Sequence, residues 1–317
     1  MSELNKVYSR LSLPSQVARR SSPAAALSRF FLSLVSLLRA SHGNGPGVAF
    51  HLSVLVQTLP LLFSSMATRS VAQMLTAPMD SFRYFEFDFF WRCVREPPAL
   101  GRYLDVSSPR LFTWRVLGEG LASHVVMANP DRADLESTRE LMSASGLLPR
   151  CDLLGARVDE LQDPDGSYDT IVCISVLEHI PTEAARAALL KIWQLLRPGG
   201  RLLLSVPCAR EPYEEFIDFN EYGLLEPSSA GFVFGQRFYD RGLIETEIYS
   251  IAGIPARHEI CGEVQKGVFE RDRQARLTDQ HYTSWDEPRR FSRNYEQVPS
   301  VDDLPGIGVI AFEFIKP

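Results

Sequence analysis

His179 is the residue of this chain best suited to moving a proton. It stands in Val176-Leu177-Glu178-His179-Ile180, directly after the apolar run Tyr168 to Ile174. An imidazole titrates near neutrality, so it can take a proton and return it. Such a base is needed only where a reacting acceptor must lose a proton. The bland alternative is that His179 packs or caps the next helix and holds its loop by hydrogen bonds, and Glu178 has the same alternative. Glu86 and Asp88 are a second pair of interest. They lie in the aromatic stretch SFRYFEFDFFWRCVREPP. A buried carboxylate needs a partner, and Arg83 and Arg92 are close enough in sequence to supply one. The aromatics themselves read as core, with a substrate pocket as the alternative.

The elements that must position these groups are legible around His179. Tyr168 to Ile174 is short, apolar and β-branched, as a strand buried on both faces of a parallel sheet should be. Thr182 can cap a helix with a broad apolar face of Ala184, Ala187, Ala188, Leu190, Ile192, Leu195 and Leu196. Pro198-Gly199-Gly200 stops it. Arg201 to Pro207 returns as a second apolar strand. Strand, crossover helix and parallel strand make a right-handed βαβ unit.

SYDTIVCISVLEHIP followed by LLRPGGRLLLSVP resembles the class I S-adenosylmethionine-dependent methyltransferases, of the methyltransferase type 11 kind. The resemblance implies an α/β, Rossmann-like, doubly wound fold with a mostly parallel seven-stranded sheet. One antiparallel strand is expected near the end, where Gly306 to Ile315 is the terminal strand. It also implies S-adenosyl-L-methionine as cofactor, with His179 where family substrates approach and Ser175 at the strand end that walls the cofactor.

The cofactor-binding half departs from the family pattern. RYLDV, Arg102 to Val106, fits the first strand, but the glycine-rich turn expected next is replaced. Asp105 is kept, and Val106-Ser107-Ser108-Pro109 follows. Ser107 and Ser108 are small and can offer hydroxyls, and Pro109 can open the next helix. The second strand, Ser123 to Ala128, ends in Asn129, where the family places an acid for the ribose hydroxyls. An amide keeps one acceptor and loses the charge assistance. On that basis Asn129→Asp is expected to strengthen cofactor binding. Asp131 is expected to cap the helix Arg132 to Ala144. Near the adenine, Val158 and Asp159 are the implied contacts, with Arg157 where an acid is usual.

Composition narrows the rest. The 317 residues carry a net charge of -6, so there is no overall basic footprint for nucleic acid. Charge is nevertheless uneven. Before Asp80 the only acid is Glu3, against Lys6, Arg10, Arg19, Arg20, Arg29, Arg39 and Arg69. Five widely spaced cysteines with no CxxC pair point to a reducing compartment rather than a disulfide scaffold or zinc site. Cys173 and Cys208 read as core thiols. There is no metal-ligand cluster, P-loop, serine-nucleophile elbow or internal repeat. Gly118-Glu119-Gly120 follows no convincing strand and is discounted as a phosphate loop.

The reading is two regions. Residues 1-81 form a basic, apolar helical extension. Its Ser/Arg-rich start, Met1 to Pro23, reads as mobile, and organellar targeting stays open. Its two apolar runs, Ala24 to Ala40 and Gly47 to Ala67, read as amphipathic or buried helices rather than spans, because Arg29, Gln57 and Pro60 interrupt them. Residues 82-317 form the methyltransferase-like domain, with an aromatic insertion near 209-236 as a substrate wall. Arg271 to Tyr295 reads as a lid or external helix. The expected function is methyl transfer to a small-molecule or lipid-like acceptor by a cytoplasmic protein, with peripheral membrane contact through the extension. The alternative is a catalytically silent methyltransferase-like binding module.

Overall fold

The computed structural model describes residues 4–11, 23–42, 45–64, 66, 68–220, 223–279 and 282–317. The chain begins with β1 (Asn5–Ser9), α1 (Pro23–His42) and α2 (Val48–Thr58), which a 3-10 turn, Leu59–Phe63, continues. Next come α3 (Thr68–Thr76), α4 (Arg83–Arg95), β2 (Tyr103–Val106), α5 (Arg110–Gly118), β3 (Val125–Ala128), α6 (Arg132–Ala144) and β4 (Cys151–Leu154). β5 (Tyr168–Ile174), α7 (Thr182–Leu195), β6 (Leu196–Ala209), β7 (Tyr213–Ile217) and β8 (Val233–Phe238) follow. The last part holds α8 (Arg241–Leu243), a π-helical segment (Ile244–Tyr249), α9 (Ser250–Ala252), β9 (Arg257–Glu263), α10 (Val268–Thr278), α11 (Glu287–Asn294), β10 (Tyr295–Val298) and β11 (Ile307–Ile315).

The main sheet has the order β10-β9-β11-β6-β5-β2-β3-β4. The strands from β4 to β6 are parallel, and β11 runs antiparallel between β6 and β9. This is the expected Rossmann-like doubly wound arrangement, but with eight strands rather than seven. The extra strand is β10, which pairs antiparallel with β9 at the sheet edge. It starts at Tyr295, the last residue of the segment read as lid or external helix, and α11 in that segment delivers it to the edge.

Period-two alternation places the strand side chains in two cores. Tyr103, Val125, Met127, Val172 and Ile174 enter one cluster, while Leu104, Val126, Ala128, Ile171 and Cys173 enter the other. Both faces are covered, so these strands are apolar throughout. Cys173 and Cys208 are both buried core thiols.

The crossover helix stops before the Pro-Gly-Gly turn because the turn joins the sheet. Strand β6 runs from Leu196 through Gly200, with a register shift opposite Tyr168/Thr170. The Gly199 N–H donates to the Lys316 carbonyl at 2.7 Å, and the Lys316 N–H donates to the Gly200 carbonyl at 2.9 Å. The Lys316 ammonium meets the exposed carbonyls of the helix end, Trp193 and Leu196, each at 2.6 Å. A cation there opposes the negative end of the helix dipole.

The aromatic stretch is helix α4, and it is core. Tyr84, Phe85, Phe87, Phe89, Phe90 and Trp91 are all buried. Buried side chains surround this helix because the sheet lies on one side and α2 on the other. Phe50 of α2 packs on Phe87 with ring centroids 4.9 Å apart, and Phe112 of α5 lies 5.5 Å from Phe87. The close approach needs Gly47 at the start of α2. Its φ is +73°, and a Cβ there would fall 2.3 Å from the Tyr84 carbonyl oxygen.

The segments expected to be irregular are partly strands. The insertion near 209-236 contributes β7 and β8, which pair antiparallel. Asn5–Ser9 adds to β7 as a parallel third strand, so part of the segment read as mobile is ordered. Residues 12–22 and Tyr222 lie outside the described residues. No helix among the described residues is long and apolar enough to cross a membrane.

Candidate functional site at the carboxyl ends of β2 and β5

The strand order reverses between β2 and β5, the position where open α/β sheets bind ligands beyond their carboxyl ends. Two serines mark it. Ser107 follows β2 with φ +50°, and Ser175 follows β5 with φ +49°. Both sit in the left-handed region that glycine favours, and non-glycine residues held there gather at functional sites. The turn after β2 thus keeps a glycine-like backbone without a glycine. The Ser107 N–H donates to the Ala128 carbonyl at 2.9 Å, and its hydroxyl donates to the same oxygen at 3.1 Å.

Asp105 acts inside the turn. It is fully buried. One carboxylate oxygen accepts the Ser108 N–H at 2.8 Å, and the other accepts the Thr113 hydroxyl of α5. Burial pushes its pKa up to about 7. Asp105 therefore shapes the loop from below and does not face the space above the strands. Ser108 is buried as well, and its hydroxyl accepts the Ile174 N–H at 3.0 Å. That bond bridges the ends of β2 and β5 across the reversal.

Asn129 is half-buried at the end of β3. Its amide oxygen accepts the Asp131 N–H at 2.9 Å, and its amide nitrogen donates to Asp134 at 3.0 Å. Arg110 pairs with the other oxygen of Asp134. Asp131 caps α6 as expected, accepting from the Ala133 and Asp134 N–H groups at 2.9 and 3.1 Å. Val158 is buried, whereas Asp159 is exposed and paired with Arg157 at 2.9 Å. That hydrogen bond holds the Asp159 carboxyl below its usual range.

A buried polar cluster lies beyond β5 and β6. Glu86 of α4 accepts the Ser175 hydroxyl at 2.5 Å and the Ser205 hydroxyl at 2.6 Å. Arg83 pairs with the other Glu86 oxygen, so the arginine read from the sequence does serve it. Arg92 likewise pairs with Asp88 at 3.2 Å. Glu178 and His179 form the 3-10 turn after β5. Glu178 is buried, its Oε2 has no hydrogen-bond partner among the described residues, and burial raises its pKa to about 8. It is therefore a neutral acid at pH 7.

The His179 Nδ1–H donates to the Gly235 carbonyl of β8 at 2.7 Å. This fixes the tautomer that leaves a lone pair on Nε2. Nε2 lies 3.9 Å from Glu178 Oε1. Burial lowers the ring's pKa to about 4, so it is neutral at pH 7. Arg237, fully buried on β8, donates to Glu247 at 2.9 Å and braces the same turn through the Ile180 carbonyl at 3.4 Å. Both alternatives for His179 thus have a physical basis. Its Nδ1 holds the loop and its Nε2 can accept a proton.

Sequence reasoning missed Arg83–Glu86–Ser175–Ser205 as one unit. The Arg83–Glu86 pair was legible, and the one further local signal was Ser205, a lone hydroxyl within LLLSVP. Two clefts of about 450 and 320 Å³ lie elsewhere, beside β4 and the beginnings of β2 and β3, with Arg102 and Asp152 in both linings. None of the candidate residues lines them.

A family model described as "Methyltransferase domain" matches residues 111–200, the segment from α5 to the Pro-Gly-Gly turn. Over this segment the chain is similar to class I S-adenosylmethionine-dependent methyltransferases. Among curated relatives, the ubiquinone/menaquinone biosynthesis C-methyltransferase UbiE of Vibrio parahaemolyticus is 28% identical over 167 residues, covering 52% of this chain and 61% of that protein. UbiE of Psychromonas ingrahamii is 28% identical over 114 residues, 35% of this chain and 43% of that protein. The chain spans about three fifths of the length of that first relative. Among solved structures, the Burkholderia thailandensis 1,6-didemethyltoxoflavin-N1-methyltransferase with bound 1,6-didemethyltoxoflavin and S-adenosylhomocysteine is 16% identical, with TM-score 0.45, covering 75% of this chain and 80% of that one.

Proposed function

We propose that this chain transfers a methyl group from S-adenosyl-L-methionine to a small-molecule or lipid-like acceptor. The observation that carries the proposal is the pair of left-handed serines, Ser107 and Ser175, at the ends of the two strands flanking the sheet reversal. They keep the backbone course of a cofactor loop where the glycines are gone. The residues present fit the group. Asn129 has one N–H and one lone pair left after its two internal bonds, enough for a ribose diol. Asp105 holds the loop, with Ser107 and Ser108 at its crest, and Ser175 walls the other side. Val158 and Asp159 are the proposed adenine neighbours.

The cofactor, when bound, supplies a methyl group on a positively charged sulfur. The chain's own contribution is positioning and a shaped electrostatic site. His179 Nε2 is the proposed proton acceptor for an acceptor O–H or N–H, and Glu178 is the neutral acid beside it. The aromatic strands β7 and β8 are the proposed substrate wall. Peripheral contact with a membrane through residues 1-81 belongs to the same reading, because it would bring a lipid-like acceptor within reach.

One observation favours the second reading, a silent binding module. The Ser108 hydroxyl spans the reversal and joins β2 directly to β5. Calorimetry of the full chain with S-adenosylmethionine and S-adenosylhomocysteine separates the two. Saturable heat with either ligand is the expected result. No heat and no thermal shift at millimolar ligand would overturn the enzyme reading and leave the silent module.

A further inference from the structure

Helix α1 carries large apolar side chains on both faces. Its inner face holds Phe30, Leu34, Leu37 and Ala40 together with the buried Ser33 and Ser36. Ser36 accepts the Arg289 N–H of α11 at 3.3 Å, while the Ser33 hydroxyl is buried with no hydrogen-bond partner among the described residues. Its outer face carries Phe31, Val35 and Leu38, which are 58, 42 and 61% exposed. An ordinary surface helix would place polar side chains on that outer face. The next helix repeats the pattern. Leu52 and Val56 of α2 and Phe63 of the 3-10 turn point outward, and Phe63 is 93% exposed. No charged residue occurs between Gly47 and Phe63. Nine of the sixteen large apolar side chains that are exposed among the described residues fall between Phe31 and Phe63. Clustering of this kind marks a surface that meets an apolar partner.

The charge pattern selects that partner. Arg29 and Arg39 lie exposed at the two ends of the α1 stripe, with His42 one turn beyond Leu38. No acid occurs from Leu4 to Met79. A second copy of the chain would bring this acid-free basic surface against itself, and like charges would oppose the contact. An anionic lipid surface matches both features, since it takes apolar side chains below the headgroups and arginines among them. We infer that the outer faces of α1, α2 and the Leu59–Phe63 turn dock on an anionic membrane surface without crossing it. This inference deepens the peripheral-contact reading and does not depend on methyl transfer.

Flotation of the full chain with phosphatidylcholine vesicles, with and without a third of phosphatidylglycerol, tests it. Binding to the anionic vesicles is expected, weaker but still present at high salt, with little binding to the neutral ones. The variant Leu38→Ser/Phe63→Ser should bind the anionic vesicles about tenfold more weakly or less, from the lost apolar insertion. Ile254→Ser, which removes an equally exposed apolar side chain elsewhere, should bind as the parent does. Circular dichroism and S-adenosylhomocysteine calorimetry on each variant show whether the fold and the cofactor site persist, so failure here is distinct from failure of the methyltransferase reading. Equal binding by parent and Leu38→Ser/Phe63→Ser overturns the inference, as does absence of binding. So does a dimer, seen by sedimentation without lipid, that the substitutions dissociate.

Discussion

The Ser175 hydroxyl donates to Glu86 at 2.5 Å across 89 residues of sequence. The bond ties the end of β5 to helix α4, which precedes the sheet. Ser175 itself stands in a left-handed conformation. A residue before the sheet therefore helps hold the backbone at the proposed cofactor wall. Glu86→Ala should lower stability by about 3–5 kcal/mol, because Arg83 and two serines lose a buried partner. Ser175→Gly should be milder, since the loss of one charge-assisted hydrogen bond is offset by relief of about 1 kcal/mol of left-handed strain. Urea melts of the two variants check the order.

Asn129→Asp changes sign once the fold is known. Sequence alone favours tighter cofactor binding. In the structure the Asn129 amide nitrogen donates to Asp134 at 3.0 Å, so a new carboxylate would meet an existing one. Asn129→Asp alone should weaken S-adenosylhomocysteine binding. Asn129→Asp/Asp134→Asn, which exchanges the pair, should recover it or improve on the parent by about 1 kcal/mol. A double-mutant cycle by calorimetry reads this coupling.

His179 and Glu178 give a pH profile. Activity should rise as pH passes about 4, where His179 loses its proton, and fall as pH passes about 8, where Glu178 ionises. Glu178→Gln should remove the upper limb. His179→Asn keeps a donor for the Gly235 carbonyl and removes the lone pair on Nε2. It should lower kcat by roughly 10²–10⁴ without changing cofactor affinity. A small drop in kcat with lost stability would make His179 a loop anchor only.

Asp105 makes stability depend on pH. Its folded pKa is raised to about 7, so the folded state favours the neutral form. That contribution is complete below about pH 4 and is lost as pH rises through about 7. The loss reaches at most about 4 kcal/mol at pH 8. Asp105→Asn should be less stable than the parent at pH 5, where one acceptor is missing, and should gain on it at pH 8. Unfolding free energies measured at both pH values test the crossing.

The sheet was legible because local periodicity determines it. Tyr168–Ile174 occurs as read, and its β-branched apolar run has no other stable setting than a sheet covered on both faces. Asp131 at the head of α6 was legible for a similar reason, since a cap and its helix are neighbours in the chain. Arg83 and Arg92, each within one turn of its acid, belong with them.

Tertiary structure decided what depends on distant partners. Nothing local in VLEHIP specifies that Gly235 takes the His179 Nδ1–H, yet that bond sets the tautomer of the ring. Nothing local joins Glu86 to Ser175 and Ser205, or Asn129 to Asp134, and those pairings decide which groups remain for a ligand. The eighth strand and the β1–β7–β8 sheet are of the same kind, because strand pairing is a choice of partner. The apolar run of α1 is the sharpest instance. Its sequence declares an amphipathic helix, but only packing on α11 reveals that Ser33 and Ser36 face inward beside Leu37 while Phe31, Val35 and Leu38 face out.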